Sequence, residues 1–278
     1  MFEIFDQDFN EDDLKKALEL VYRYTHVRMA ASKKVLLRSR LRSRLVAHQL
    51  REWSEYWPMV ENDPAELSRF VDLVTTHETY FHRTQGVWEY FSKEFLPQFF
   101  KRCGSTQLKI WSAACSTGEE PYTLAMYCED FAKSHSGFHY SILASDISNE
   151  VLSFAKVARY QGRSLEALKK GNPTFVDAYM KAVDSEVMEV IPVIRSKISF
   201  HQKNLFQPKL GTSCFDLVLL RNVLIYFAAN DQEKVIETIR GSLNQHGILV
   251  IGESESLSPL KTQMEFIKPL VYTSNKAA

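Results

Sequence analysis

The sequence predicts an α/β protein with a doubly wound parallel sheet, an N-terminal all-helical domain and a small inserted antiparallel β-subdomain. The first observation is that apolar residues recur at helical spacing through residues 1–75. From about residue 108, short β-rich runs alternate with helical runs, as in doubly wound sheets. The stretch 162–196 interrupts this alternation. The expected parts are a helical domain over 1–75, a linker over 76–90, and the α/β domain over 91–278 with the insert at about 180–200.

The composition is that of a globular, charge-balanced chain. Its 278 residues are 45% hydrophobic and 12% aromatic, which suffices for one large or two modest domains. Lys and Arg number 34, as do Asp and Glu, so a surface bound to nucleic acid throughout is not expected. No apolar run reaches the roughly 18–20 residues of a membrane span, and Met1–Asn10 lacks the features of a secretory signal. We therefore expect a cytoplasmic protein without membrane insertion.

The cysteine spacing excludes two further classes of protein. The four cysteines have no CxxC pair, which predicts neither a zinc site nor a disulfide framework. They are Cys103, Cys115, Cys128 and Cys214. We expect free thiols in a reducing compartment and no bound metal.

Three helical segments account for the N-terminal domain. Asn10 is followed by three acids, which the helix dipole favours in a first turn, so a helix is expected to begin there. A second helix is expected from about Ser32 to Trp53. A third follows Asp63-Pro64, because proline suits the first helical turn after a capping aspartate.

The second helical segment is strongly basic. Between Arg28 and Arg51 it carries eight basic residues and no acid, and Arg40 and Arg44 flank a stripe of leucines. Either a solvated helix face or a surface for an acidic partner explains such a run. A nucleic-acid surface is disfavoured, since the helix lacks interleaved aromatics and the chain has no recognisable DNA-binding motif.

Apolar runs and helix signals predict the elements of the α/β domain. Strands are expected at 108–114, 140–144, 198–201, 215–220, 247–252 and 266–272. Helices are expected at 117–133, 149–157 and 231–243. The segment 187–194 is expected to form a small hairpin in the insert.

The first site signal is the segment Trp111–Tyr122. Small residues fill a strand-to-helix turn, which in a doubly wound fold lies at the carboxyl edge, where ligands bind. The segment has no GxGxxG pattern, so a pyrophosphate cradle is poorly supported. Glu119 and Glu120 would instead suit a positively charged group, such as an amino acid ammonium. A tight turn with an acidic helix start explains the pattern equally well.

Two further signals follow later strands. Asp146 lies 28 residues after Gly118 (146 − 118), where an acid can bind a ribose diol or simply cap the next helix. Arg221 and Asn222 end a strongly apolar strand, which seldom closes on two such groups without a partner. Together the signals favour a ligand with an ammonium and a ribose, and S-adenosylmethionine combines both with a sulfonium.

The motifs as a set resemble the CheR-type chemotaxis receptor methyltransferases. They span residues 79–255 in order: Thr79–Arg83, Ser116–Tyr122, Ala144–Asp146, Asn204–Leu205, Leu220–Phe227 and Gly252–Glu255. The resemblance implies a Rossmann-like methyltransferase sheet and S-adenosylmethionine as cofactor, with S-adenosylhomocysteine as product. It further implies that the chain is an enzyme that methylates glutamates on the cytoplasmic helices of chemoreceptors.

The resemblance also implies roles for individual residues. His77, Thr79 and Arg83 would lie against the methionine part of the cofactor. Its ammonium would be bound by Glu120 or Glu119, with Glu120 favoured. Asp146 would hold the ribose hydroxyls, and Asn204 and Leu205 would border the adenine. Arg221 and Asn222 would lie near the sulfonium and the incoming carboxylate, with Tyr226 beside the substrate, so Arg221 and Tyr226 are the catalytic candidates. Arg40 and Arg44 would face the acidic receptor surface. The family often has Asn at the position of His77 and usually Ala at that of Cys115.

The sequence also bears on functions other than receptor methylation and on further binding partners. A non-catalytic S-adenosylmethionine-binding signalling scaffold of the same fold is the alternative function. An RNA methyltransferase is disfavoured, because the Asn/Asp-Pro-Pro-aromatic motif of many base methylating enzymes does not occur. No glycine lies between Met180 and Asn204, so we do not expect the insert to bind the C-terminal pentapeptide by which some receptors tether the family. A monomer is expected.

Overall fold

The structure is a computed structural model that describes residues 9–104, 107–207 and 215–274. Cys214 lies outside the described residues. Within them, the predicted fold class is confirmed: a helical N-terminal part precedes a seven-stranded sheet and a separate three-stranded sheet.

Four helices form the N-terminal part. They are α1 (Glu11–Thr25), α2 (Lys34–His48, after a 3₁₀ turn at Ala31–Lys33), α3 (Trp53–Asn62) and α4 (Pro64–Val74). Asn10 and Asp13 cap α1 reciprocally, and Asp63 caps α4 ahead of its proline, as predicted. The apolar faces of the helices enclose one core that includes Leu20, Trp57 and Phe70.

The expected helix over 32–53 is wrong in its last few residues. Helix α2 ends at His48, because Gln49 takes a left-handed conformation (φ 56°) and its N–H caps the carbonyls of Leu45 and Val46. Glu52 and Glu55 then form a capping box that begins α3. The chain therefore turns where the charge pattern alone indicated continuity.

A helical stretch that the sequence did not predict joins the two parts. It runs through α5 (Gln85–Tyr90), a π-helical segment (Phe91–Phe95) and α6 (Leu96–Cys103). Its aromatic residues, among them Trp88, Phe95 and Phe99, are buried in the largest core of the protein. The apolar face that these residues form packs the helical stretch against one side of the sheet.

The seven-stranded sheet has the order β6-β2-β1-β7-β8-β10-β9. The strands are β1 (Leu108–Ala113), β2 (Tyr140–Asp146), β6 (Ile198–Gln202), β7 (Phe215–Leu220), β8 (Leu243–Ile251), β9 (Glu265–Lys268) and β10 (Val271–Thr273). The first five are parallel, with Leu108 opposite Tyr140 and Ala113 opposite Ser145. The expected last strand over 266–272 is wrong: this segment folds back as the antiparallel pair β9 and β10.

Helices cover both faces of this sheet. They are α7 (Glu119–Ser134), α8 (Asn149–Val157) and α12 (Ala229–Ser242). Leu124 of α7 lies in the core on one side, together with α5 and α6, and Ile239 of α12 lies in the core on the other. Burial on both faces explains why the strands are nearly continuous apolar runs.

The β-subdomain contains more than the expected hairpin. Strand β5 (Met188–Val190) pairs antiparallel with β4 (Met180–Ala182) and with β3 (Arg159–Tyr160), while α9 (Gly162–Gly171) and α10 (Pro173–Tyr179) lie between β3 and β4. The second half of the segment 187–194 is instead the helical turn α11 (Pro192–Arg195). Pro192 has no N–H for a sheet ladder and suits a first helical position.

The topology places the ends of three strands around one point. Strand β1 lies between β2 and β7, and the order of the strands reverses there. In open α/β sheets, ligands bind outside the carboxyl ends of the strands at such a switch point. The segments after β1, β2 and β7 are therefore the ones that the fold brings together.

Candidate active site

A cavity of about 580 Å³ opens at this point. Its volume lies within the roughly 300–1,000 Å³ of typical small-molecule sites. All ten cofactor and catalytic candidates from the sequence line it: His77, Thr79, Arg83, Glu120, Asp146, Asn204, Leu205, Arg221, Asn222 and Tyr226. Arg40 and Arg44 do not line it.

The turn between β1 and α7 is shaped by left-handed backbone. Ala114 (φ 63°), Ser116 (φ 49°) and Gly118 (φ 96°) all adopt positive φ. A Cβ at Gly118 would lie 2.9 Å from both the Ala155 Cβ and the Tyr160 Oη, so glycine is required there. The tight turn brings the backbone of residues 114–116 to the wall of the cavity.

Asp146 ties this turn to the end of β2. Its Oδ2 accepts the N–H of Ser116 (2.8 Å) and its Oδ1 the N–H of Ser148 (3.1 Å). Burial raises the pKa of Asp146 above its ordinary value, against the opposing effect of these N–H groups. A carboxylate offers about four lone-pair sites, so two remain for hydroxyl groups of a ligand.

The structure distinguishes the two glutamates of the turn. The Glu119 carboxylate is buried away from the cavity and accepts the hydroxyls of Thr117 (2.6 Å) and Ser164 (2.8 Å). Burial raises the pKa of Glu119. Glu120 lines the cavity, held by the Ser112 hydroxyl (2.8 Å) from β1. Of the two, Glu120 is the carboxylate that a ligand ammonium can reach.

Arg221 is held more tightly than the sequence indicated. Its Nη1 pairs with Glu120 Oε2 (2.9 Å) and its Nη2 donates to the Arg83 carbonyl (2.7 Å), while its guanidinium lies 5.6 Å from the ring centroid of Trp88. The residue is 7% exposed. Both Nη nitrogens of Arg221 are thus already hydrogen-bonded. In this conformation Arg221 orients the Glu120 carboxylate and the Arg83 carbonyl, and its two Nη groups are not both free to bind a substrate carboxylate.

The other predicted contacts are distributed around the wall. The His77 ring bonds the Thr75 hydroxyl (2.8 Å), and its carbonyl accepts from Ser116 (2.8 Å). Arg83 donates to the Glu78 carbonyl (2.9 Å). Leu205 contributes an apolar surface that is 8% exposed. Cys115 also lines the cavity, and burial raises the pKa of its thiol well above the ordinary value, which keeps it neutral.

The sequence did not predict that the loop between α1 and α2 closes the cavity. Thr25, Val27, Arg28, Met29 and Ala30 all line it. The Arg28 N–H bonds the Tyr226 carbonyl (2.9 Å), and Asn204 Nδ2 bonds the Tyr24 carbonyl (3.1 Å). Both contacts end on backbone carbonyls, and every residue type has such a carbonyl, which is why sequence patterns cannot reveal them.

Cations lie at this side of the cavity. Arg28 and Lys33 both line it, and within the described parts of the chain neither side chain forms an ion pair. The Arg28 guanidinium lies 5.9 Å from the Tyr22 ring centroid. The loop therefore gives the cavity wall a positive contribution from outside the α/β domain.

Arg40 and Arg44 have structural partners inside the N-terminal part. Arg40 Nη1 donates to the carbonyls of Val74 (3.3 Å) and Thr75 (3.1 Å) at the end of α4. Arg44 binds Glu66 through two bonds, from Nε (2.9 Å) and Nη2 (2.6 Å). Both guanidinium groups thus join α2 to α4. The expectation that Arg40 and Arg44 also face an acidic partner stays a prediction.

The described residues contain neither a candidate metal site nor a candidate membrane-spanning helix. In 9–104, 107–207 and 215–274, no three His, Cys, Asp or Glu side chains are grouped as a metal would need. In the same ranges no helix has the length and apolar character to cross a membrane.

Two family models cover nearly all of the chain. The model described as "CheR methyltransferase, all-alpha domain" matches residues 12–75, and "CheR methyltransferase, SAM binding domain" matches residues 77–272. The chain belongs to the CheR family of chemotaxis methyltransferases. The resemblance inferred from the motifs is thereby confirmed, and S-adenosylmethionine is the cofactor of its methyltransferase domain.

Relatives of known description agree with this family. The chain is 29% identical to the chemotaxis protein methyltransferase of Borreliella burgdorferi over 275 residues, covering 96% of each chain. It is 32% identical to chemotaxis protein methyltransferase 1 of Pseudomonas aeruginosa (86% of this chain, 88% of that one) and 31% identical to the Listeria monocytogenes protein (89% and 91%). Among solved structures, the methyltransferase domain of bacterial CtHen1-C aligns at 16% identity and a TM-score of 0.34, covering 59% of this chain and 65% of that one.

Proposed function

We propose that this protein transfers the methyl group of S-adenosylmethionine to glutamate side chains on the cytoplasmic helices of chemoreceptors. The observation that carries the proposal is the set of charged groups that line one cavity. The carboxylates Glu120 and Asp146 come from the sheet edge, whereas Arg28 and Lys33 come from the segment between α1 and α2 and form no ion pair with any described residue. The carboxylates suit a cationic cofactor, and the two cations suit an anionic substrate.

The cofactor side fits the chemical groups of S-adenosylmethionine. Glu120 would hold the ammonium and Asp146 the ribose hydroxyls, while Asn204 and Leu205 would border the adenine. His77, Thr79, Arg83 and Asn222 would complete the contacts to the methionine part. When bound, S-adenosylmethionine supplies the electrophilic methyl group for transfer. The protein's own groups would orient that part and exclude water from it.

The substrate side needs no general base. A glutamate carboxylate with an unperturbed pKa of about 4.3 is already ionised at neutral pH. Its negative charge is lost as the ester forms, so a cation bound tightly to it would oppose the reaction. Arg221 and Tyr226 are the proposed catalytic residues: Arg221, which is paired with Glu120, would lie near the incoming carboxylate, and Tyr226 would lie beside the substrate. Arg28 and Lys33 would draw the carboxylate in without clamping it.

The parts of the chain would divide the work. Residues 1–75 would present the receptor helix, the linker over 76–90 would contribute cofactor contacts, and residues 91–278 would carry the methyl transfer. The proposed setting is the cytoplasm, where the receptor helices lie, with the protein acting as a monomer. Arg40 and Arg44 would support the receptor-facing helix by fixing α2 on α4.

Methyl transfer from labelled S-adenosylmethionine to a chemoreceptor cytoplasmic fragment is the direct test. We expect base-labile methyl esters on the fragment, since glutamate esters hydrolyse in alkali. A fragment with its candidate glutamates changed to alanine is the matched control and should stay unlabelled. Labelled RNA would indicate a nucleic-acid methyltransferase instead. Binding of S-adenosylhomocysteine with no methylated product would favour the signalling scaffold.

A further inference from the structure

The carboxylate of Glu255 lies against the loop that follows β7. Its Oε2 accepts the N–H of Asn222 (2.9 Å) and of Gly252 (2.6 Å), and its Oε1 accepts those of Val223 (2.8 Å) and Leu224 (2.7 Å). Glu255 is 9% exposed and is not among the residues that line the cavity. One side chain thus bonds four backbone N–H groups at the edge of the site.

These bonds hold a backbone conformation that is unfavourable by itself. Asn222 has φ 59°, in the left-handed region that residues other than glycine seldom adopt. The N–H groups of three successive residues also point the same way, where no strand or helix can accept them. Bonds to an ionised acceptor are roughly twice as strong as neutral ones, so the carboxylate can stabilise this loop.

The turn after β8 is built to bring that carboxylate close. A Cβ on Gly252 would lie 2.8 Å from the Asn222 N, the Asn222 Nδ2 and the Glu255 Oε2. Glycine is therefore required where the turn meets the loop. The Gly252–Glu255 motif belongs to the family resemblance, yet none of the cofactor or substrate roles uses it.

The loop that Glu255 holds carries two residues of the site. Asn222 and Tyr226 both line the cavity, and the Tyr226 carbonyl accepts the N–H of Arg28 from the closing loop. A shift of residues 222–224 would therefore move the cofactor contact, the substrate contact and the joint with the N-terminal part together. Misplacement by about 1 Å can lower a rate about a hundredfold.

We propose that Glu255 is a positioning residue for methyl transfer, fixing residues 222–224 so that Asn222 and Tyr226 keep their places in the cavity. The proposal deepens the proposed function and rests on it for its kinetic readout. It predicts a loss in kcat that exceeds the loss in cofactor affinity, because Asp146, at the end of β2, and Glu120, in the first turn of α7, lie on other elements and would hold the charged groups of the cofactor independently.

Glu255→Gln tests the proposal with the shape of the side chain kept. One of its two acceptor oxygens becomes an amide NH₂, which cannot accept, so two of the four N–H groups lose their partner. Glu253→Gln is the matched control, since Glu253 is an exposed glutamate of the same turn. Both variants should fold with similar circular dichroism spectra.

We expect Glu255→Gln to lower kcat by about tenfold to a hundredfold. Its affinity for S-adenosylhomocysteine by calorimetry should fall by less than about fivefold, and Glu253→Gln should match the wild type in both measurements. Hydrogen exchange should become faster at the amides of 222–224 and 252 and stay unchanged in β1 and β2. A kcat within about twofold of the wild type, or unchanged exchange at those amides, would overturn the role.

Two further outcomes are decided by additional measurements. If Glu255→Gln does not fold, Glu255→Asp replaces it: a lower kcat at an unchanged melting temperature supports the proposal, and an activity that merely follows the folded fraction overturns it. If the wild type methylates no receptor fragment, the proposed function fails by itself. The amide exchange of the folded variant then still decides whether Glu255 holds the loop.

Discussion

At the carboxyl edge of the sheet, Glu120, Asp146 and Arg221 are brought to one cavity, whereas on helix α2 the basic residues Arg40 and Arg44 turn towards α4. Both regions concentrate charge, and both looked functional in the sequence. At the sheet edge the strand ends must converge, so the charges face a common space. On a helix, each charge faces whatever packs beside it.

The contrast shows that a run of basic residues along a helix does not by itself predict a binding surface for an acidic partner. Arg44 pairs with Glu66 on α4; the Glu66 side chain is 3% exposed, whereas that of Arg44 is 22% exposed. The two basic residues of the N-terminal part that do line the cavity, Arg28 and Lys33, precede α2. The receptor-facing charge is thus expected on the loop before α2.

The largest expected effect is on stability, through the Arg44–Glu66 ion pair that joins α2 to α4. Arg44→Ala should lower the free energy of unfolding by about 3 kcal/mol, because it leaves the Glu66 carboxylate buried without its bidentate partner. Arg42→Ala, an exposed arginine of the same helix, should change it by less than about 0.5 kcal/mol. Chemical denaturation measures both, and equal effects would show that the Arg44–Glu66 ion pair does not stabilise the protein.

At the sheet edge, Asp146→Ala should weaken S-adenosylhomocysteine binding by roughly 1–3 kcal/mol, the scale of hydrogen bonds lost from a charged acceptor. Calorimetry measures this directly. Glu150→Ala, an exposed acid in the first turn of α8, is the control. Unchanged affinity in the Asp146 variant would remove this residue from the site.

The cations of the closing loop should affect encounter with the receptor. Arg28→Gln combined with Lys33→Gln should raise KM for a receptor fragment about threefold to tenfold with little change in kcat, and the difference should shrink at high salt. Lys101→Gln, on the exposed side of α6, should leave KM unchanged. A rate of the wild type that does not depend on salt would contradict the role.

The contact between α2 and α4 through Arg44 and Glu66 should make the stability of the protein sensitive to acid. Burial alone would raise the pKa of Glu66, but hydrogen bonds from Arg44 and His48 outweigh it and lower the pKa from 4.5 to about 2. The folded state therefore binds a proton less readily than the unfolded state, so stability is full above about pH 4.5 and falls as the pH drops towards about 2. Glu66→Gln should flatten this part of a denaturation profile, and an identical acid slope in both proteins would refute the assignment.

The smallest expected effect concerns the β-subdomain. Titration with a receptor C-terminal pentapeptide should give no measurable binding, because the loop between β4 and β5 has no glycine and is closed by bonds from the N–H groups of Glu186 and Val187 to the Asp184 carboxylate (2.8 Å each). Micromolar binding that maps to 181–200 would reverse this prediction.

The sequence by itself determined which strands end in polar residues of the candidate site. Asp146 and Asn222 follow apolar runs, and apolar runs buried on both faces are strongly constrained to be parallel strands. Since the carboxyl ends of parallel strands share one edge, the order of the motifs predicted that the residues after β1, β2 and β7 meet at one site. His77, Thr79 and Arg83 precede the first strand, and only the family resemblance assigned them to the same cavity.

Tertiary structure alone decided what each charged group touches. Arg221 meets Glu120 across 101 positions and the Arg83 carbonyl across 138, and Glu255 reaches Asn222 across 33. Glu119 and Glu120 are neighbours in sequence, yet Glu119 bonds Ser164 of α9 and Glu120 lines the cavity. Such partners depend on side-chain direction and on packing between distant elements, whereas local patterns record only which face of an element is apolar.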